Sequence, residues 1–290
     1  MTMKPSIKLA CMTWIYHKHP FERALEGIAR AGYRYVSFGL PHEGKRAFDD
    51  GAQGEAERIA GLLNRYGLQP VTLVSTDVLA PAQPIEQARQ RMDFARAIGV
   101  EELLSLGTTS YKRFPDEPLT EEEMAPINEA FAAKFRQIGA EAGKRGLVVS
   151  IKPHTGNTAA ANVMAGTLRT IDSPYVKASY DPGNVRFYEG IEPAADFPAI
   201  AAQTTSFIAK DHRGARAESN FPIPGEGDID FLTMFVTLRA SGFAGPVVVE
   251  RLDGANGAYG ANMEAAELDG RIAMAHANLA KMLEEAGFEV

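Results

Sequence analysis

Eight short apolar runs, separated by longer stretches of helical spacing, constrain this chain more than any other feature. The runs are IKLACMT, YVSFG, PVTLVST, ELLSLGT, VVSIK, VKASYD, SFIAKD and PVVVE. None exceeds seven residues, several are rich in Val, Ile and Tyr, and most end in a turn or polar signal. Short continuous apolar runs of this kind mark strands buried on both faces, as in a parallel sheet.

Between the runs, apolar residues recur every three or four positions. Ile59, Leu62, Leu63 and Tyr66 share a face, as do Ile127, Phe131, Phe135 and Ile138. Val163, Thr167, Leu168 and Ile171 form a third stripe, and Ile272, Leu279 and Leu283 a fourth. This spacing predicts amphipathic helices. Thr120 with Glu123 reads as a capping box opening the long fourth helix. Asp228 is the expected cap of the seventh. The segments AGY, YGL, IGV, RGL, SGF and AGF place a glycine where a helix closes, because glycine takes the left-handed conformation without a Cβ penalty.

Eight strand–helix units in 290 residues predict an α/β fold of the (β/α)8 TIM barrel type, one domain over residues 1–290. A doubly wound sheet would want a glycine-rich phosphate loop after an early strand, and CMTWIYHKHP has none. A formal net charge of −7 argues against a nucleic-acid partner. No apolar run approaches the roughly 20 residues of a membrane helix. Cys11 is the only cysteine, which excludes an internal disulfide framework and a cysteine-rich zinc site. MTMKPSIKLACMTW lacks a cleavage pattern, so the expected location is cytoplasmic.

In a barrel of this type the functional groups stand at the C-terminal ends of the strands. Strand one ends near Thr13 and Trp14, with His17, Lys18 and His19 following. Strand two leads to His42, strand three to Ser75 and Thr76, strand four to Thr108. Strand five offers Lys152 and His154; strand six Asp181 and Asn184. Strand seven offers Lys210, Asp211, His212 and Arg213, and strand eight Glu250 and Arg251. A buried carboxylate needs a partner or a metal, so Lys152, Asp181 and Glu250 converging on one mouth suggest a working site. Each residue alone is equally consistent with a solvated loop charge or a structural ion pair. Trp14 is placed either to stack on a sugar ring or to pack at the rim. PGEGDIDF, Pro224 to Phe231, is read as a plain loop before a capped helix, with an anion site at the helix start as the alternative. His276 lies alone in a helical stripe and has no expected catalytic part.

At SIKPHTG, ASYDPGN, IAKD, PGEGDIDF and PVVVE the chain resembles the xylose isomerase-like TIM barrels, also called sugar phosphate isomerases/epimerases. The resemblance covers essentially the whole chain. It implies one divalent ion, Mn²⁺ or Mg²⁺, held by a Glu ending strand five, an Asp ending strand six, a His in strand seven and a Glu ending strand eight. It also implies that the two glutamates move protons around a cis-enediolate. Asp181 and Glu250 match two of these positions. Lys152 stands where the first Glu would be and Ile208 where the His would be; Asn184 holds a position that is often His. An ammonium has no lone pair for a metal and would repel one.

Three uses of Lys152 follow. As an ammonium it would bridge Asp181 and Glu250 in place of the ion and hold a substrate oxygen, giving a site charge of −1 as in the family. As a neutral amine it would be a base or form a Schiff base, which two adjacent carboxylates oppose. Alternatively, His154, Asp181, His212 and Glu250 regroup around a divalent cation. The expected function is proton transfer next to a carbonyl of a small carbohydrate or polyol: isomerisation, epimerisation or dehydration. Glu250 is the expected proton carrier, His154 a second acid/base, and Lys152 and Asp181 the oxyanion stabilisers. Asn184, Lys210, His212, Arg213, Trp14 and Arg251 are the candidate substrate contacts, although Arg251 should point away from its neighbour Glu250. A non-catalytic carbohydrate-binding relative is the alternative. The resemblance leaves a homodimer open.

Overall fold

The computed structural model describes residues 4–255, 259–260 and 262–290. Met1–Met3, part of the stretch read above for a leader, lie outside them. Each of the eight apolar runs forms a strand: β1 (Lys8–Met12), β2 (Tyr35–Phe38), β3 (Gln69–Val74), β4 (Glu102–Leu106), β5 (Val148–Lys152), β6 (Val176–Tyr180), β7 (Thr204–Ala209) and β8 (Pro246–Val249). They pair in parallel and close into a barrel in sequence order, with β8 returning to β1 through Lys8 opposite Pro246. The chain is therefore a (β/α)8 barrel.

A principal helix follows each strand: α1 (Phe21–Arg30), α2 (Glu55–Arg65), α3 (Ile85–Ala97), α4 (Glu121–Lys144), α5 (Ala161–Ile171), α6 (Pro182–Glu189), α7 (Phe231–Ala240) and α8 (Ala265–Glu285). The capping box at α4 is formed: Thr120 Oγ1 accepts the Glu123 amide at 3.2 Å, and the Glu123 carboxylate accepts the Thr120 amide at 2.8 Å. The α7 cap is Asp230, not Asp228, because helix assembly begins at Phe231 and Asp230 Oδ1 receives the Thr233 amide at 3.0 Å. Asp228 instead accepts the Gly214 amide. The glycines of the helix-closing turns take positive φ, as at Gly67 and Gly146, both at 66°.

One apolar layer lies between strands and helices, where Phe197, Phe231 and Phe235 pack edge-to-face with Phe207. Each such fully buried side chain contributes about 1.5–3 kcal/mol. Two residues expected in helix stripes are exposed: Ile127 (39%) and Val163 (45%). Their helices turn Phe131 and Phe135, and Met164 and Leu168, to the core instead. Ile127 lies in the opening turns of α4, about one turn ahead of Phe131, the first buried residue of that helix.

The barrel interior divides laterally. Ala10, Met12, Val71, Val74 and Leu104, from β1, β3 and β4, pack with Ile208 and Val248 as an apolar filling. Opposite, Glu102 accepts hydrogen bonds from Ser150 (2.6 Å) and Ser206 (2.5 Å), and Ser206 is 2.7 Å from Ser179. Side chains alternate along a strand. Ser150 therefore predicts an inward Lys152 two residues on, and Ser179 an inward Asp181.

Candidate active site

Four buried charged side chains meet at the C-terminal mouth. Lys152 Nζ lies 2.9 Å from Asp181 Oδ2 and 2.8 and 2.6 Å from the two oxygens of Glu250. Lys210 Nζ lies 2.9 Å from the same Asp181 oxygen, 2.6 Å from Glu250 Oε1 and 3.0 Å from Asn184 Oδ1. Lys210, expected to grip substrate hydroxyls or an anionic tail, lines the cavity and is also a second ammonium of the cluster, which brings the expected charge of −1 to zero.

DPGN, Asp181 to Asn184, shows how local sequence builds this quartet. Asp181 is the N-cap of α6 and Pro182 its first residue. Asp181 Oδ1 takes the Asn184 amide at 2.9 Å, leaving Oδ2 to both lysines. Gly183 is required by space: a Cβ there would sit 2.7 Å from Lys210 Cγ and from the Lys210 carbonyl oxygen. Asn184 donates to the Pro153 carbonyl at 2.8 Å and so faces its amide oxygen to Lys210.

The charges decide the ionisation. Burial works against a charged Glu250, but Lys152 and Lys210 outweigh it and hold the carboxyl at about 2. Burial likewise opposes the Lys210 charge, and Asp181 with Glu250 overcomes it, so the amine is held above its ordinary value. The expected use of Glu250 as proton carrier thus meets a resting carboxylate of low basicity. His154 is pushed down to about 4 by burial and then by Lys152 and Lys210, so it is neutral at pH 7. Its Nε2 lies 2.8 Å from the Tyr188 hydroxyl. Burial holds that phenol above its ordinary range, so the hydroxyl stays protonated, and the imidazole tautomer sets which of the two donates. Tyr188 was missed, yet it lies four residues after Asn184 on α6 and hence on the same helix face.

Asp181 is fully buried behind the two lysines, and the other groups line a cavity of about 460 Å³ that also includes Met12, Trp14, Leu40, Val74, Thr76, Leu104, Leu106 and Tyr259. Trp14 is at its wall, with its ring 4.7 Å from His17 and 6.4 Å from Tyr259. Three candidate contacts lie outside that lining. His212 Nε2 bonds the Glu218 carbonyl at 2.7 Å, β7 having ended at Ala209, so strand alternation no longer aims it inward. Arg213 is exposed and donates to the Glu226 carbonyl. Arg251 is clamped between the rings of Phe221 (3.7 Å) and Tyr259 (3.9 Å) and pairs with Asp253 at 2.6 Å. PGEGDIDF holds an anion of the chain's own: the amides of Gly225, Gly227 and Ile229 all donate to Asp211. His276 packs edge-on against Tyr33, away from the cavity. A wider groove of about 650 Å³ between α4 and α5 shares no residue with the site.

The quartet does not suit a divalent ion. Both Glu250 oxygens and Asp181 Oδ2 already accept from ammonium groups, and the two remaining family positions are Lys152 and Ile208. The regrouped set with His154 and His212 is not assembled, and among the described residues no group of three or more His, Cys, Asp and Glu is placed to hold a metal. Among the described residues no helix is long and apolar enough to cross a membrane.

The model of the xylose isomerase-like TIM barrel family matches residues 25–269. A curated relative, the rhizopine catabolism protein MocC of Rhizobium meliloti, is 25% identical over 177 residues, 56% of this chain and 52% of that protein. The chain thus spans about half the length of this curated relative. Among solved structures, the IOLI protein with a binding zinc atom superposes with a TM-score of 0.72 at 13% identity, over 98% of this chain and 100% of that one. An L-ribulose 3-epimerase superposes with a TM-score of 0.71 at 15% identity, over 97% and 95%. The D-allulose 3-epimerase of Methylomonas sp. does so at 0.68 and 16% identity, over 99% and 100%.

Proposed function

This chain belongs to the xylose isomerase-like TIM barrel family, and on that premise we propose that it is a carbohydrate isomerase or epimerase in which an ammonium does the work of a metal. One observation carries the reading: Lys152 Nζ sits between Asp181 and Glu250 on the floor of the cavity. The names of L-ribulose 3-epimerase and D-allulose 3-epimerase among the structural neighbours support the reaction class.

The chemistry begins when a substrate carbonyl oxygen draws one Lys152 N–H away from Glu250. The ammonium then stabilises the enolate oxygen as charge develops there. Glu250, relieved of a donor, gains basicity and takes the proton from the carbon next to the carbonyl. Each unit by which its basicity rises from about 2 toward neutrality is worth about 1.4 kcal/mol. That is the reason for coupling the two events. His154, with Tyr188 behind it, exchanges the second proton from the same polar side of the cavity.

Deuterium wash-in from D2O tests this across the ketohexose stereoisomers. Exchange next to the carbonyl with the wild type, lost in Glu250→Gln and in Lys152→Met, is the expected result. Undiminished exchange in Glu250→Gln removes the proposed base. One observation favours a second reading, a carbohydrate-binding protein: both Glu250 oxygens are already engaged at rest. Saturable binding with no exchange on any sugar decides for that one.

A further inference from the structure

The two walls of the cavity differ in kind. The wall from β5–β8 presents Lys152, His154, Asn184, Tyr188, Lys210 and Glu250. The wall from β1–β4 presents Met12, Trp14, Leu40, Val74, Leu104 and Leu106. Met12, Val74 and Leu104 are continuous with the apolar filling of the barrel, against which Trp14 and Leu40 pack. Polar groups on this second side each have a partner within the protein. Thr76 Oγ1 accepts the Leu106 amide at 3.2 Å, and Ser105 Oγ donates to the Leu106 carbonyl at 3.2 Å. Asp77, half exposed at the rim, faces Arg91 at 3.7 Å and Arg46 at 3.9 Å.

Charge narrows the ligand further. Among the described lining residues the lysines are Lys152 and Lys210, and Asp181 and Glu250 neutralise both. A phosphate or carboxylate on the substrate would meet no free cation there. A hydroxyl facing Met12, Val74 and Leu104 would lose its water and gain no partner, a cost that disfavours its burial.

We infer that the substrate is a neutral deoxyketose, with its carbonyl end against Lys152 and a carbon lacking its hydroxyl against Met12, Val74, Leu104 and Trp14. This rests on the proposed use of Lys152 and names the substrate class for that site. The apolar side sets specificity: a methyl terminus fits where a hydroxymethyl or phosphorylated terminus does not. Discrimination between the methyl and hydroxymethyl forms should be about tenfold to a hundredfold.

Calorimetry with matched 6-deoxyketohexoses, parent ketohexoses and ketohexose 6-phosphates tests it on the whole chain. The expected order is the deoxy sugar about tenfold or more tighter than its parent, with the phosphate weakest. The double variant Val74→Thr/Leu106→Asn should narrow the deoxy preference severalfold, while circular dichroism confirms that it is folded. Equal affinity of deoxy and parent sugars, tightest binding of a phosphate, or no binding of any deoxy sugar at millimolar concentration overturns the inference. Deuterium wash-in on the same sugars separates this from the catalytic proposal. Deoxy preference without exchange sinks catalysis alone, and exchange without deoxy preference sinks the substrate class alone.

Discussion

The quartet at the barrel mouth and the Glu102 cluster below it share β5, β6 and β7: Ser150 and Ser179 precede Lys152 and Asp181 by two residues. Both clusters bury a glutamate completely or nearly so, Glu102 at 6% exposure and Glu250 at 7%. Burial pushes Glu102 above its ordinary value, since its partners are the hydroxyls of Ser150 and Ser206. Burial pushes Glu250 in the same direction, yet two ammonium groups reverse the outcome and hold it at about 2. Partner charge, more than depth, sets the direction in which each carboxyl is shifted.

The largest test of this contrast removes one ammonium. Lys210→Met leaves two carboxylates sharing Lys152 and should cost about 3–5 kcal/mol in urea unfolding. Adding Glu250→Gln to it should recover part of the loss; strict additivity would show that the charges are not coupled. Next in size is Gly183→Ala, which pushes a methyl onto Lys210 and should destabilise by about 1–3 kcal/mol.

Acid titration reads the same contrast. Glu250 is lowered from 4.5 to about 2, and His154 from 6.5 to about 4. In both cases the unfolded chain binds more protons than the folded one between those limits, so stability falls as pH drops below about 6.5 and continues falling toward about 2. Glu102 has the opposite sign: its folded carboxyl holds a proton that the unfolded one has released, so its contribution weakens as pH rises above 4.5. Glu102→Gln removes this opposing contribution and should therefore steepen the loss of stability on acidification, and unfolding followed between acid and neutral pH checks both signs. The smallest effect belongs to metal. Added Mn²⁺ or EDTA should leave the melting temperature unchanged, and stoichiometric Mn, Mg or Zn in protein purified without chelator would contradict the ammonium reading.

The barrel was legible because eight buried runs and their glycine-closed helices repeat one local pattern. The lysine between two acids was legible too, since strand ends in this fold share a mouth. Lys210 is readable in principle, because Ser206, Ile208 and Lys210 alternate on one face. His212 and Arg213 could not be placed by alternation, because β7 stops at Ala209 and the chain turns. The apolar wall is not legible in the sequence, because Met12, Val74 and Leu104 read there as ordinary core.

The loop from Pro224 carries one more consequence. Its amides close on Asp211 from Gly225, Gly227 and Ile229, while the His212 amide holds the same carboxylate at 2.8 Å. A side chain at Gly227 would collide with it. This side of the mouth is thus bolted from within, a fixed doorpost whose peptide dipoles are spent on the frame and have nothing left to offer a visitor.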